Sequence, residues 1–158
     1  MGVLPVMKVF EYSFIVSSEL DNVWKFYTTI DHLERITPRG MGLQVIKVSP
    51  YAIDLQQDMD LWLSARLFGI RRRWHSKITA LKKYEYTDEM VSGPFKRWRH
   101  VHRFSALGNS TTSVADRVEF ELPYGVIGTA FEDYALGHLC RIFAHRRLAT
   151  VRILESIK

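Results

Sequence analysis

The most restrictive feature of this sequence is one long helical pattern near its C-terminal end. After Gly125, the residues Ile127, Phe131, Tyr134, His138 and Ile142 recur every three to four positions, with Ala135, Leu139, Phe143, Ala149 and Ile153 beside them. No proline interrupts the stretch to Glu155, so the spacing predicts a single helix of about 40 Å at 1.5 Å rise per residue. A helix of that length must bury its apolar stripe against a large surface. What precedes it is strand after strand, over 43–48, 59–67, 70–80, 86–92, 96–106 and 113–122, with turn signals at Phe68-Gly69, Gly93-Pro94 and Gly108-Asn109. An antiparallel sheet is the one partner available to the helix, which gives an α+β architecture.

The remaining N-terminal part reads as a further strand over 9–16, carrying Phe10, Tyr12, Phe14 and Val16 on one face. A short helix follows, with Ser18 as the expected N-cap, Asp21 at its third position, and Val23, Trp24, Phe26 and Tyr27 on its buried side. A second short helix over 31–36 is stopped by Pro38 and Gly40. With no repeat, low-complexity tract or linker, residues 1–158 are expected to form one domain of about seven strands.

Cross-strand register tests this reading, because paired residues share a face. A two-residue turn at Phe68-Gly69 sets Leu67 opposite Ile70, Ala65 opposite Arg72, Leu63 opposite Trp74 and Met59 opposite Ile78. Inward residues meet inward residues except at Arg72. In the strand over 96–106, Trp98, His100, His102 and Phe104 form the inner face. Arg97, Arg99, Val101 and Arg103 form the outer one. The same logic sets Asp88 opposite His100 and Asp116 opposite His102, with Met90 and Phe120 flanking Trp98.

The register also interprets the net charge of +5. Arg97, Arg99 and Arg103 stand between Glu85 and Glu89 on one side and Glu119 and Glu121 on the other, as a solvated ladder of opposite charges. A nucleic-acid face would carry basic residues without interleaved acids, so no nucleic-acid partner is expected. Arg71, Arg72, Arg73 and Lys77 remain as a local basic patch suited to transient contact with anionic lipid headgroups. The single cysteine, Cys140, excludes an intramolecular disulfide and is expected to be a small core residue. Residues 1–8 are too short for a secretory signal, and no stretch approaches the ~20 apolar residues of a membrane helix, so a cytoplasmic location is expected.

The order strand, two short helices, six strands and long helix resembles the START-like helix-grip superfamily over essentially the whole chain. The opening Phe10-Glu11-Tyr12-Ser13-Phe14-Ile15-Val16 with Val23-Trp24-Lys25-Phe26 looks like its first strand and helix. The run from Gly93-Pro94-Phe95 to Phe104, then Asp116-Arg117-Val118 and Leu122-Pro123-Tyr124-Gly125, resembles a prokaryotic ligand-binding, cyclase/dehydrase-like branch. The resemblance implies a deep cavity between sheet and long helix, reached near the short helices and hairpin tips. It implies neither a fixed catalytic set nor a cofactor.

The candidate site follows from the inner face. A hydrophobic small molecule such as a lipid, isoprenoid or aromatic polyketide would lie on Trp74, Met90, Trp98, Phe104, Phe120, Phe131 and Tyr134, its polar end oriented by His100 and His102. Arg72 snorkels at the rim and, turned inward, would meet an acidic headgroup. Two other readings stand beside this carrier. In one, a cyclase or dehydratase uses His100, His102, Asp88 or Asp116 as acid or base, with Tyr12, Tyr86 or Tyr134 donating to a developing enolate. In the other, the core is filled, the Asp88–His100 and Asp116–His102 pairs only lock register, and an outer patch of Arg71 to Arg73 with Trp62 meets a partner. Two histidines at i and i+2 are near enough to share a metal, but the sequence indicates no third ligand, so no metal is assigned.

Overall fold

Alternation in the middle of the chain is realised as one seven-stranded antiparallel sheet in the order β1-β7-β6-β5-β4-β3-β2. The structure, a computed structural model, describes residues 7–156, so the expectation for the N-terminal residues lies largely outside it. The strands are β1 (Lys8–Val16), β2 (Gln44–Ser49), β3 (Asp60–Leu67), β4 (Ile70–Lys82), β5 (Glu85–Ser92), β6 (Arg97–Gly108) and β7 (Thr111–Glu121). Helices α1 (Leu20–Thr28) and α2 (His32–Ile36) and a 3-10 turn over Arg39–Met41 link β1 to β2. The chain closes with α3 (Val126–Thr129) and α4 (Glu132–Glu155).

Register agrees with the sequence wherever the paired ladders cover an expected pair. Leu67 pairs with Ile70, Leu63 with Trp74, Asp88 with His100, His102 with Asp116 and Trp98 with Phe120. The β4–β5 pairing shifts twice, with Val91 of β5 and then Thr79 of β4 as the extra residue, irregularities of the kind that locally bend and twist a sheet. Two apolar clusters pack between the sheet and the helices. One gathers Phe14, Val16, Val23, Phe26, Ile78 and Phe104 under α1, and the other Phe95, Val118, Phe120, Leu139 and Phe143.

Four local expectations are corrected. The C-terminal helix is broken between α3 and α4, and within α3 Gly128 packs closely on Pro123, where an added Cβ would lie 2.2 Å from the Pro123 carbonyl oxygen. The buried stripe of α4 is Ala135, Leu139, Phe143, Arg146, Thr150 and Leu154, displaced by one position from the Tyr134–His138–Ile142 row. Cys140 therefore points outward and is exposed. The N-cap of α1 is Glu19 without a side-chain cap, while Ser18 is buried and its carbonyl accepts a hydrogen bond from the Thr112 hydroxyl at 2.8 Å.

The outer face carries the charge ladder. Arg97 meets Glu121 at 2.6 Å, Arg103 meets Glu85 at 2.5 Å, and Arg99 sits 3.4 Å from Glu89. Trp62 is not a bare contact patch, since His75 stacks on it at 4.5 Å and Lys47 lies over its ring. No helix among the described residues is long and apolar enough to cross a membrane.

Candidate functional site

Between the concave face of β3–β6 and α4 lies a cavity of about 180 Å³. Its walls are chiefly Leu61, Leu63, Ile78 and Trp74 from β3 and β4, Met90 and Trp98 from β5 and β6, and Leu139, Ile142 and Phe143 from α4. Ile30, Leu33 and Met41 from the α1–β2 segment close one end, and Leu67 and Phe68 of the β3–β4 turn stand at the other. Phe68 is held in the turn at φ 51°, where its ring rests on His138 at 5.0 Å. The polar residues of the wall are Tyr27, Tyr86, Asp88, His100, His102 and Arg146, with Thr29, Thr37, Ser76 and His138 as further polar lining.

Strand alternation explains this polar group. His100 and His102 lie two apart on β6, so both imidazoles point inward and their ring centres come within 3.6 Å. Asp88 on β5 and Asp116 on β7 flank them. The backbone pairs are those expected, yet the short hydrogen bonds run diagonally. His100 Nε2 is 2.8 Å from Asp116, and His102 Nε2 is 2.8 Å from Asp88. The expected side-chain pairs are the longer contacts: His102 Nδ1 lies 3.1 Å from Asp116 off the line of a good hydrogen bond, and His100 Nδ1 lies 3.7 Å from Asp88. Tyr86 stacks on His102 at 4.0 Å, and Phe143 meets the His100 ring edge-on at 5.4 Å.

Burial and charge divide the protons unequally. Burial opposes a charged His102, but contacts with Asp116 and Asp88 outweigh it and raise its pKa above the ordinary imidazole value. Burial and the neighbouring His102 push His100 the other way, below that value. Burial would raise both aspartates, yet the histidines hold Asp88 and Asp116 below the usual carboxylate range. Of the two imidazoles, His102 is thus the one that holds a proton more strongly, between the two aspartates. Burial pushes the Tyr27 phenol up to about 12 and Tyr86 well above its ordinary value, so both hydroxyls keep their protons at neutral pH. The Tyr27 hydroxyl is engaged with Thr150 at 2.8 Å.

Asp88, His100 and His102 each offer a ligand atom, all within 4.8 Å of one another. A third donor for a metal is therefore present, which the sequence did not indicate. The short bonds from both histidines to carboxylates describe a hydrogen-bonded network, and Arg146 adds positive charge to the same wall.

The family model described as polyketide cyclase / dehydrase and lipid transport matches residues 16–143. The chain belongs to that family. Among solved structures, a protein from Thermus thermophilus is similar with a TM-score of 0.76 at 12% identity, covering 96% of this chain and 99% of its own. Norcoclaurine synthase from Thalictrum flavum, solved with dopamine and hydroxybenzaldehyde, gives 0.70 at 15% identity over 97% and 89%. The Zhui aromatase/cyclase from Streptomyces sp. R1128 gives 0.67 at 15% identity over 94% and 91%. At these identities the likeness concerns the fold, which is the START-like helix grip. No curated protein sequence matches.

Within this polyketide cyclase and lipid-transport family member, the residues singled out from sequence separate into two groups. Trp74, Met90, Trp98, His100, His102 and Asp88 line the cavity, and Asp116 backs the histidines from behind. Phe104 and Phe120 face inward but are sealed in the two apolar clusters, 4% and 0% exposed, because α1 and α4 cover those ends of β6 and β7. Phe131 and Tyr134, at the start of α4 beside the α3–α4 break, are solvent-exposed, while His138 and Ile142 further along the same row line the cavity. Arg72 is exposed near the β3–β4 turn and lines no part of the cavity. Tyr12 packs on Phe143 outside it, whereas Tyr86 belongs to its polar wall. Sequence reading missed Arg146, which is buried on α4 at 9% exposure. Its position three after Phe143 and four before Thr150 was the available signal, masked by the Arg146-Arg147 pair, which reads as a solvated face.

Proposed function

We propose that this chain binds a compact hydrophobic molecule in the cytoplasm, holding its apolar body on Leu63, Trp74 and Trp98 and its polar end toward His102 and Tyr86. The observation that carries this reading is a cavity of about 180 Å³ with mainly apolar walls, in which Tyr86, Asp88, His100 and His102 form one polar group. An apolar cavity of about 150 Å³ suffices for benzene, so this one suits a ring system or short isoprenoid better than a whole membrane lipid. Membership of a family described by cyclisation, dehydration and lipid transport supports ligand binding in general. An open interior argues against the filled-core interaction module.

A second reading, a cyclase or dehydratase, is favoured by one specific feature. The His102–Asp88 pair and the Tyr86 phenol line the same wall, so a base and a proton donor stand on one surface.

Purified protein, denatured and extracted with organic solvent, is expected to release about one equivalent of a compact apolar species detectable by mass spectrometry. Protein stripped in this way and refolded should show quenching of Trp74 and Trp98 fluorescence when titrated with 2-naphthalenemethanol. An empty extract together with unchanged fluorescence would contradict the binding reading. If instead the released species is recovered chemically altered after incubation with fresh protein, the enzymatic reading replaces the carrier.

A further inference from the structure

Arg146 is the buried charge that the network around His100 and His102 does not consume. Its side chain leaves α4 next to Phe143, whose ring centre is 5.1 Å from its guanidinium carbon, and it lines the cavity. A guanidinium carries five donors and no acceptor, and a buried one is normally held by a carboxylate through two parallel bonds. Here no carboxylate oxygen of a described residue comes within 4.0 Å, and the guanidinium hydrogen-bonds to no described residue. Asp116 and Asp88 are close enough to favour its charge without touching it. Had Arg146 served only to neutralise the two aspartates, contact with them would lower the energy further, yet both are bonded to histidines instead.

The Tyr86 hydroxyl is in the same condition. Tyr86 is a buried residue that lines the cavity, and its hydroxyl hydrogen-bonds to no described residue, while the Tyr27 hydroxyl is tied to Thr150. Two strong donors on one polar wall, both without a protein acceptor, define what would complete them: an acceptor oxygen carrying negative charge.

We infer that the ligand of this cavity bears an acidic oxygen, a carboxylate or an equally acidic enol, that docks on the Arg146 guanidinium with the Tyr86 hydroxyl as second donor. This inference rests on the reading that the cavity binds a compact apolar molecule, and it adds the chemical class of the polar end. His102 is bonded to Asp88 through Nε2, and its Nδ1, buried without a hydrogen-bond partner among the described residues, is the atom left to it.

Two matched probes separate the inference from the reading beneath it: 2-naphthoate, and its neutral counterpart 2-naphthalenemethanol, titrated by calorimetry at pH 7. The wild type should bind the acid at least about tenfold more tightly than the alcohol, the range of a charge-assisted pair. Arg146→Gln should remove that preference and leave the alcohol within about twofold of wild type. Arg147→Gln, on the exposed neighbour, should change neither. If Arg146→Gln does not fold, Arg146→Lys and Tyr86→Phe carry the test, each expected to reduce the preference partly while the alcohol binds normally. Equal wild-type affinity for the two probes, or equal loss of both in Arg146→Gln, overturns the inference and leaves the cavity reading standing. Failure of both probes to bind the wild type overturns the cavity reading and the inference with it.

Discussion

At the scale of single residues, the centre of this protein is a proton-sharing square of His100, His102, Asp88 and Asp116. His102→Ala should destabilise the fold by about 3–5 kcal/mol, because removing one partner leaves buried charge uncompensated. Chemical denaturation monitored by circular dichroism measures this directly, and a loss below about 1 kcal/mol would show that the square is not closed. The pH dependence has a definite sign. His102 has a raised folded-state pKa, so its contribution is complete below the ordinary imidazole value and is lost as pH rises through the folded one. Asp88 and Asp116 are lowered, so their contribution is present above the ordinary carboxylate value and lost as pH falls through the folded values. His100 is lowered and acts as they do, opposing acidification from below the ordinary imidazole value. Stability should therefore pass through a maximum on the mildly acidic side of neutrality. In His102→Gln the decline on the alkaline side of that maximum should vanish. An unchanged alkaline slope in that variant would assign the effect elsewhere.

At the scale of elements, the strands were legible because period-two alternation is a one-dimensional signal, and each hairpin pairing tested it independently. The diagonal bonding of the histidines was not, since backbone register fixes which Cα atoms face one another but leaves side-chain torsions free to reach the other neighbour. The long helix was read to its C-terminal end but as one unbroken piece, and two adjacent apolar rows were read on it without a choice between them. Its apolar rows at Tyr134–His138–Ile142 and Ala135–Leu139–Phe143 differ by one position, and only the approach angle set by the α3–α4 break selects between them. That selection placed Arg146 inside, exposed Cys140, and turned Phe131 and Tyr134 outward. Gly128 packs closely beside the break, and a side chain there would also meet Leu122 Cβ at 3.1 Å. Gly128→Ala should cost about 1–3 kcal/mol, the usual range for forced overpacking. The expected lowering of the thermal midpoint should come with weakened ligand binding, because α4 carries one wall of the cavity. A midpoint equal to wild type would mean that the break is set by Tyr124 and Gly125, both at positive φ, rather than by Gly128.

At the scale of the whole molecule, the sheet wraps a helix too narrow to fill it, and two apolar clusters close the ends while the middle stays open. The central claim is that this middle space, and not the charged outer face, is where a small molecule binds. The most direct test is methyl-labelled nuclear magnetic resonance with 2-naphthoate, read as intermolecular Overhauser contacts. Contacts from the naphthyl protons to the methyls of Leu61, Leu63 and Ile78, with none to Val101 on the outer face, are the expected result. Contacts confined to surface methyls such as those of Val126 and Ile127, or no contacts at saturating probe, would contradict it.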